Sequence, residues 1–222
     1  MLSAPISPIS LPQNYNAEEL SQAFAMTMLA SYANVALDSR TIQSFANSYG
    51  VAQLWQMPAV PLVTPPVTIA KIPYSWGNHV IIALAGTPNG ASLVAQWWNS
   101  SFAVTSTNPV GKVHHMYNVA ATAVATAIAA VPALVTLLAD PRTEVTFTGY
   151  SFGAAVADLM ASTMICLAPT RKIRLRKFAS PRCGNLEYYA NTPAQLNTVA
   201  IYRQNDGVFT TPYTAVRSSV VL

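Results

Sequence analysis

The residues with most capacity for chemistry stand together at Gly149-Tyr150-Ser151-Phe152-Gly153. The run before them, Glu144-Val145-Thr146-Phe147-Thr148, is apolar and β-branched; the run after them, Ala154-Ala155-Val156-Ala157, is small and suits a helix. A serine between two glycines at the join of a strand and a helix marks a sharp, strained turn that exposes the serine oxygen at a sheet's rim. A side chain at either glycine would collide with the neighbouring strand or helix. An ordinary serine in a βα turn carries the same letters, so the surroundings decide. A serine hydroxyl is a poor nucleophile alone. It needs an imidazole to take its proton and a carboxylate to fix that imidazole's tautomer.

A second candidate is Gly86-Thr87, which ends the run His79-Val80-Ile81-Ile82-Ala83-Leu84-Ala85. That run is apolar on both faces, as a strand inside a parallel sheet must be. A glycine and a hydroxyl residue at a strand's carboxyl end suit a site that stabilises a developing oxyanion, because ligands gather at that edge of open α/β sheets.

The histidines are His79, His114 and His115, all upstream of Ser151. His79 starts its strand and Thr87 ends it, so about 26 Å separates them. Proton transfer works over about 3 Å, which excludes His79 as the base. His114 and His115 precede a helical run whose following strand reaches Ser151. Their loop therefore returns to the same rim, and either is a possible surrogate base.

These groups need a scaffold, and 222 residues suit one α/β domain. Hydrophobic residues make up 52% and charged residues 9%, which excludes a disordered chain. Of the twelve basic residues, Arg171, Lys172, Arg174, Arg176 and Lys177 form one cluster, and the other seven fall one short of the eight acidic residues. The net charge of +4 is thus one local basic patch at a strand entrance, and no nucleic-acid partner is expected. Cys166 and Cys183 form no metal spacing and no CxxC; a fold that brings them together would let them pair, and otherwise they are buried free thiols, the reading expected here. No cofactor or metal is called for.

Along the chain, residues 1–14 hold Pro5, Pro8 and Pro12 and read as an extended arm without the basic and apolar regions of a signal peptide. Secretion and a cytoplasmic location both stay open. Asn16 should cap a helix with a stripe at Leu20, Phe24, Met28 and Tyr32, and a second helix should span residues 39–49 before Gly50. Prolines 58, 61, 65, 66 and 73 mark an irregular connector with a strand at residues 67–72. Residues 92–102 carry Trp97, Trp98 and Phe102 without formal charge and read as a mobile cover or a packing helix.

Residues 113–139 lack formal charge too. From 119 to 139 they hold nine alanines and only eight larger apolar residues, thin for a bilayer, so a crossover helix bent at Pro132 is expected and no transmembrane span. Helix 152–167 and strands at 173–180 and 198–202 follow.

Four motifs in order, Ala85-Gly86-Thr87, Val113-His114-His115-Met116-Tyr117, Thr148-Gly149-Tyr150-Ser151-Phe152-Gly153-Ala154-Ala155 and Phe178-Ala179-Ser180-Pro181-Arg182-Cys183-Gly184-Asn185, resemble the class 3 (fungal-type triacylglycerol) lipase family of α/β-hydrolases. Asn205-Asp206-Gly207-Val208-Phe209 resembles the family's aspartate turn. The resemblance covers residues 67–212, with residues 1–66 as an N-terminal part of the same single domain. It implies a mostly parallel central sheet with helices on both faces. It also implies Ser151 as nucleophile, Asp206 as the acid that orients the base, and Thr87 with the Phe152 N–H as the oxyanion hole. The substrate implied is an ester or lipid, met at a lipid–water interface if residues 92–102 are a lid. Tyr150, Phe152, Ala154 and Ala85 depart from the family's usual His, Leu, Gly and Arg.

The family's histidine after the aspartate has no counterpart among these residues. Three readings follow: an ester hydrolase represented by an incomplete chain, a catalytically inactive hydrolase-fold protein that binds a lipid or protein partner, and an esterase with a recruited upstream histidine. The first carries the expectation that these 222 residues alone have little esterase activity.

Overall fold

Asn16 caps helix α1 (Ala17–Ser31), its side-chain oxygen accepting the N–H groups of Glu18 and Glu19 at 3.0 and 3.3 Å. The computed structural model describes residues 16–31, 39–60, 63–87 and 104–202. The arm at 1–14, Tyr32, the segment 92–102 and the aspartate turn with Asp206 lie outside the described residues.

The buried face of α1 differs from the expected stripe. Leu20 is buried, but Phe24 and Met28 are 48% and 40% exposed, while Ala23, Met26, Thr27 and Ala30 face inward. The helix packs on sheet positions occupied by threonines and an arginine, and there polar side chains of α1 find partners. Thr27 hydroxyl meets Thr148 hydroxyl at 3.0 Å, and Glu19 is buried against Thr146 and Arg176.

Helix α2 (Ser39–Asn47) ends in a turn at Gly50, whose φ of 77° suits a residue without Cβ. Strands β1 (Gln53–Met57), β2 (Val67–Tyr74) and β3 (Gly77–Leu84) follow, each antiparallel to the next. A hairpin of β4 (Val104–Thr107) and β5 (Val110–Val113) leads into helices α3 (His115–Ala129) and α4 (Pro132–Ala139). Strand β6 (Thr143–Tyr150), helix α5 (Phe152–Leu167), strand β7 (Ile173–Phe178), the short helix α6 (Leu186–Ala190) and strand β8 (Asn197–Ile201) complete the described order. Strand β1 and the β4–β5 hairpin are additions to the elements expected from sequence.

The central sheet has the order β1-β2-β3-β6-β7-β8, and the pairs from β3 to β8 are parallel. One face carries α1 and α2 over Ala70, Ile72, Ile81 and Ala83. The other carries α3, α4 and α5 over Val80, Ile82, Val145, Phe147 and Leu175. Burying each such large side chain contributes roughly 1.5–3 kcal/mol, which fixes the register of the strands beneath the rim. This is the α/β-hydrolase architecture.

The crossover is two helices rather than one bent helix. α3 stops at Ala129, Pro132 starts α4, and the two axes differ by 98°. Proline lacks the N–H an uninterrupted helix needs but fits the first turn of a new one. No single helix among the described residues is long and apolar enough to cross a membrane.

The expected basic patch is dispersed. Lys172 and Arg174 both pair with Glu144 at 2.7 and 2.5 Å, Arg176 pairs with Glu19 at 2.8 Å and Lys177 with Asp158 at 2.6 Å. Arg171 donates to the carbonyls of Leu138, Asp140 and Thr143, capping the end of α4. The strand's alternation sends Arg176 to the α1 face and Lys177 to the α5 face. Cys166 and Cys183 are free; Cys183 is buried and Cys166 half-buried.

Candidate active site

Strand β6 is held centrally between β3 and β7, and its last residue, Tyr150, is followed at once by Ser151 and the first turn of α5. Ser151 has φ 52° and ψ −122°, in a region side-chain-bearing residues rarely occupy. Such a conformation costs of order 1–3 kcal/mol and persists only where its surroundings over-determine it. The surroundings here are visible. Ser151 N–H donates to the Phe178 carbonyl at 2.9 Å, and the Ser151 carbonyl accepts from Ala154 N at 3.0 Å.

The flanking glycines are required by contact. A Cβ on Gly149 would lie 2.5 Å from the backbone of Gly153, and a Cβ on Gly153 would overlap the carbonyl oxygens of Leu84 and Ala85. The start of α5 therefore presses directly on the carboxyl end of β3. In the parallel register Leu84 stands opposite Gly149, so Thr87 and Ser151 leave adjacent strands at nearly the same level. Thr87, Ser151 and Phe152 are each half-buried. The Phe152 N–H belongs to the first turn of α5, whose N–H groups have no partner within the helix and carry its positive dipole end. The Phe152 amide and Thr87 therefore lie on adjacent elements at the same rim as the serine.

The motif after β7 is a clasp for the loop that carries the histidines. Ala179 has φ 49° and turns the chain off β7. Asn185 then caps α6, its side-chain oxygen accepting Tyr188 N–H and Lys112 N–H, both at 3.0 Å. The Cys183 carbonyl accepts His114 N–H at 2.9 Å. Gly184 leaves room for the Tyr188 side chain, and Gly111 for the Tyr188 backbone.

His114 is buried, its ring 4.5 Å from that of Tyr117, which lies 5.4 Å from the ring of Phe152. His114 is thus two rings away from the residue that follows the serine. His115, the first residue of α3, is exposed. His79 stays where the sequence places it, at the opposite edge, with Nε2 2.8 Å from the Thr146 hydroxyl. Burial first, then the charge of Arg174, lowers its pKa from 6.5 to about 4. The Thr146 hydroxyl donates to Glu19, so it accepts from His79 and the neutral ring carries its proton on Nε2.

One cluster escaped the sequence reading. Lys177 of β7 and Asp158 of α5 form a fully buried ion pair, with Ser162 donating to the other carboxylate oxygen at 3.2 Å. Burial pulls the lysine pKa down most strongly, but the charge and hydrogen bond of Asp158 together with Tyr202 and Cys183 raise it overall, so the lysine stays charged. Cys183 lies beside the Tyr189 hydroxyl at 3.3 Å, and burial pushes both of their pKa values up. The ion pair ties the elbow helix to the strand that receives the Ser151 amide. Only the odd parity of Lys177 among arginines could have hinted at it.

A match to the family model Lipase (class 3) covers residues 81–215. No curated protein sequence matches the chain. Among solved structures, a Rhizomucor miehei lipase in its propeptide complex superposes with a TM-score of 0.63 at 17% identity, covering 89% of this chain and 65% of that one. MDLA from Penicillium cyclopium gives 0.67 at 21%, covering 94% and 80%. A triacylglycerol lipase whose catalytic centre is formed by a serine protease triad gives 0.65 at 18%, covering 89% and 76%. The chain therefore spans about two thirds of the length of the Rhizomucor protein. At these identities the structures speak for the fold, and the family match over residues 81–215 speaks for descent: the chain belongs to the class 3 lipase family.

Proposed function

We propose that the protein hydrolyses carboxylic esters of lipids through a Ser151 acyl-enzyme. Ser151 Oγ attacks the ester carbonyl carbon while an imidazole takes its proton. The carbonyl oxygen becomes an oxyanion held by the Thr87 backbone N–H and hydroxyl and by the Phe152 N–H. Collapse breaks the bond to the alcohol oxygen, which leaves with the proton from the imidazolium. Water then attacks the acyl-enzyme with the same base, releasing the carboxylic acid and restoring the serine. Asp206 orients the imidazole. An apolar cover carrying Trp97, Trp98 and Phe102 would favour substrate at a lipid–water interface, where exposing it costs little hydration.

The observation that carries this reading is the strained φ of 52° at Ser151, held between two glycines that no larger residue can replace. The structural neighbour with a serine protease triad adds the expectation of an imidazole. His79 lies at the wrong edge of the sheet, so the imidazole comes either from His114 or His115 or from a segment joined after Asp206. The test is labelling by a fluorophosphonate in a form that turns over ester. Wild type should label and Ser151→Ala should not; undiminished labelling of the alanine variant refutes the assignment.

A further inference from the structure

Helices α3 and α5 lie side by side on the sheet, and between them is an open cavity of about 830 Å³, within the range of small-molecule sites. The two walls differ in kind. α3 contributes Ala121, Thr122, Ala125 and Thr126, small side chains at helical spacing that leave a furrow along the helix. α5 contributes Met160, Met164 and Leu167, flexible or exposed apolar side chains that can close on what enters. Ile82 and Phe147 form the floor. The furrow follows α3 from Asn118 to Ala129, a length of roughly 17 Å at 1.5 Å per residue.

No charged side chain lines this cavity among the described residues. Its polar groups are neutral, with hydroxyls from Ser106 and Thr107 and amides from Asn108 and Asn118. A carboxylate or ammonium taken in would be stripped of water without a counter-charge, whereas an alcohol or ester group would find donors and acceptors. At the rim end, the ring contact between Tyr117 and Phe152 joins the first turns of the two helices, and neither Ser151 nor Phe152 lines the furrow.

We propose that the furrow between α3 and α5 binds the alkyl chain of a neutral lipid, a long-chain alcohol or monoacylglycerol, at a site separate from Ser151. The site goes beyond the ester-hydrolase reading, and Ser151→Ala retains it.

The experiment measures binding of straight-chain alcohols and of dodecanoate to the Ser151→Ala protein by displacement of an environment-sensitive dye. Affinity for the alcohols should rise about fourfold per added CH2 until the furrow is full. Dodecanol should bind at least tenfold more tightly than dodecanoate. Ala125→Trp, at an exposed wall position, should fill the furrow and remove dodecanol binding while fluorophosphonate labelling of a Ser151-bearing protein stays unchanged. Thr122→Lys should invert the preference toward dodecanoate, a readout that mere misfolding would not produce. Equal binding of alcohol and carboxylate, absence of dodecanol binding, binding unaffected by both substitutions, or dodecanol displaced by a phosphonate on Ser151 would each overturn the proposal.

Discussion

The ring of Tyr150 lies against the backbone of Gly86. A Cβ on Gly86 would stand 2.9 Å from Tyr150 Cδ1 and 3.4 Å from the Tyr150 carbonyl oxygen. The residue before the serine thus touches the residue before Thr87, although Tyr150 itself is 50% exposed. In the proposed reaction this contact sets where the Thr87 donors stand, and a displacement of about 1 Å in a catalytic group costs on the order of 100-fold in rate. Gly86→Ala should lower kcat tenfold or more with little change in melting temperature. Combining it with Tyr150→Ala, which removes the obstructing ring, should recover part of the loss. A double variant no better than Gly86→Ala would show that the contact does not set the loop.

Thr87→Ala removes one hydroxyl donor and keeps the backbone N–H. Loss of one such donor costs about 2.7–4 kcal/mol of transition-state stabilisation, read as kcat falling roughly 100- to 1000-fold with KM little changed. An unchanged kcat in an enzyme that still labels at Ser151 would move the oxyanion hole elsewhere.

The base can be assigned by comparing two forms of the protein. These 222 residues should turn over a soluble ester only slowly, and fusing a histidine-bearing segment from a class 3 lipase after the aspartate turn should raise kcat by orders of magnitude, because triad members act as a unit. Robust turnover by the 222 residues alone, abolished in His114→Asn or His115→Asn, would instead give the role to that histidine.

The Lys177–Asp158 pair is buried, so breaking it leaves a bare charge inside. Lys177→Met should destabilise the protein by about 3–5 kcal/mol, measured by urea unfolding. Lys177→Met with Asp158→Leu should regain most of that, since an apolar pair of similar size needs no counter-charge. Additive losses in the double variant would mean that the two side chains do not act as a pair.

His79 gives a pH dependence with a defined sign. Its folded pKa is about 4 against 6.5 in the unfolded chain, so the unfolded state binds more protons between those values. Stability from this group is therefore present above pH 6.5 and lost as pH falls toward 4, to the extent of roughly 3 kcal/mol. His79→Gln keeps a donor toward Thr146 without titrating there. Its urea midpoint should change less than wild type's between pH 6.5 and 4; parallel curves would exclude His79 as the cause.

The elbow and the strand and helix that flank it were legible in sequence because their requirements are local. Gly149, Ser151 and Gly153 must sit between an apolar run and a small-residue run whatever the rest of the chain does, and helix α5 begins and ends where that pattern places it. The cap at Asn16, the both-sided apolar strand β3 and the turn at Gly50 are likewise written within a few residues. The break at Pro132 was legible as a position but not as an angle, because the packing of α4 decides how far the second helix turns.

Tertiary structure decided what depends on partners distant in the chain. The inward face of α1 is chosen by hydrogen bonds to Thr148, Thr146 and Arg176, at separations of 121, 127 and 157 residues, so hydrophobic periodicity picked the wrong side. The five basic residues near 171–177 looked like one patch because a sequence shows adjacency, whereas the pleat of β7 sends Arg176 and Lys177 to opposite faces, where Glu19 and Asp158 receive them, while Lys172 and Arg174 share Glu144 and Arg171 caps α4. Gly86 and Tyr150 are ordinary letters 64 positions apart in the numbering. Only the parallel pairing of β3 with β6 lays one on the other, because side-by-side strands convert equal height in the sheet into contact.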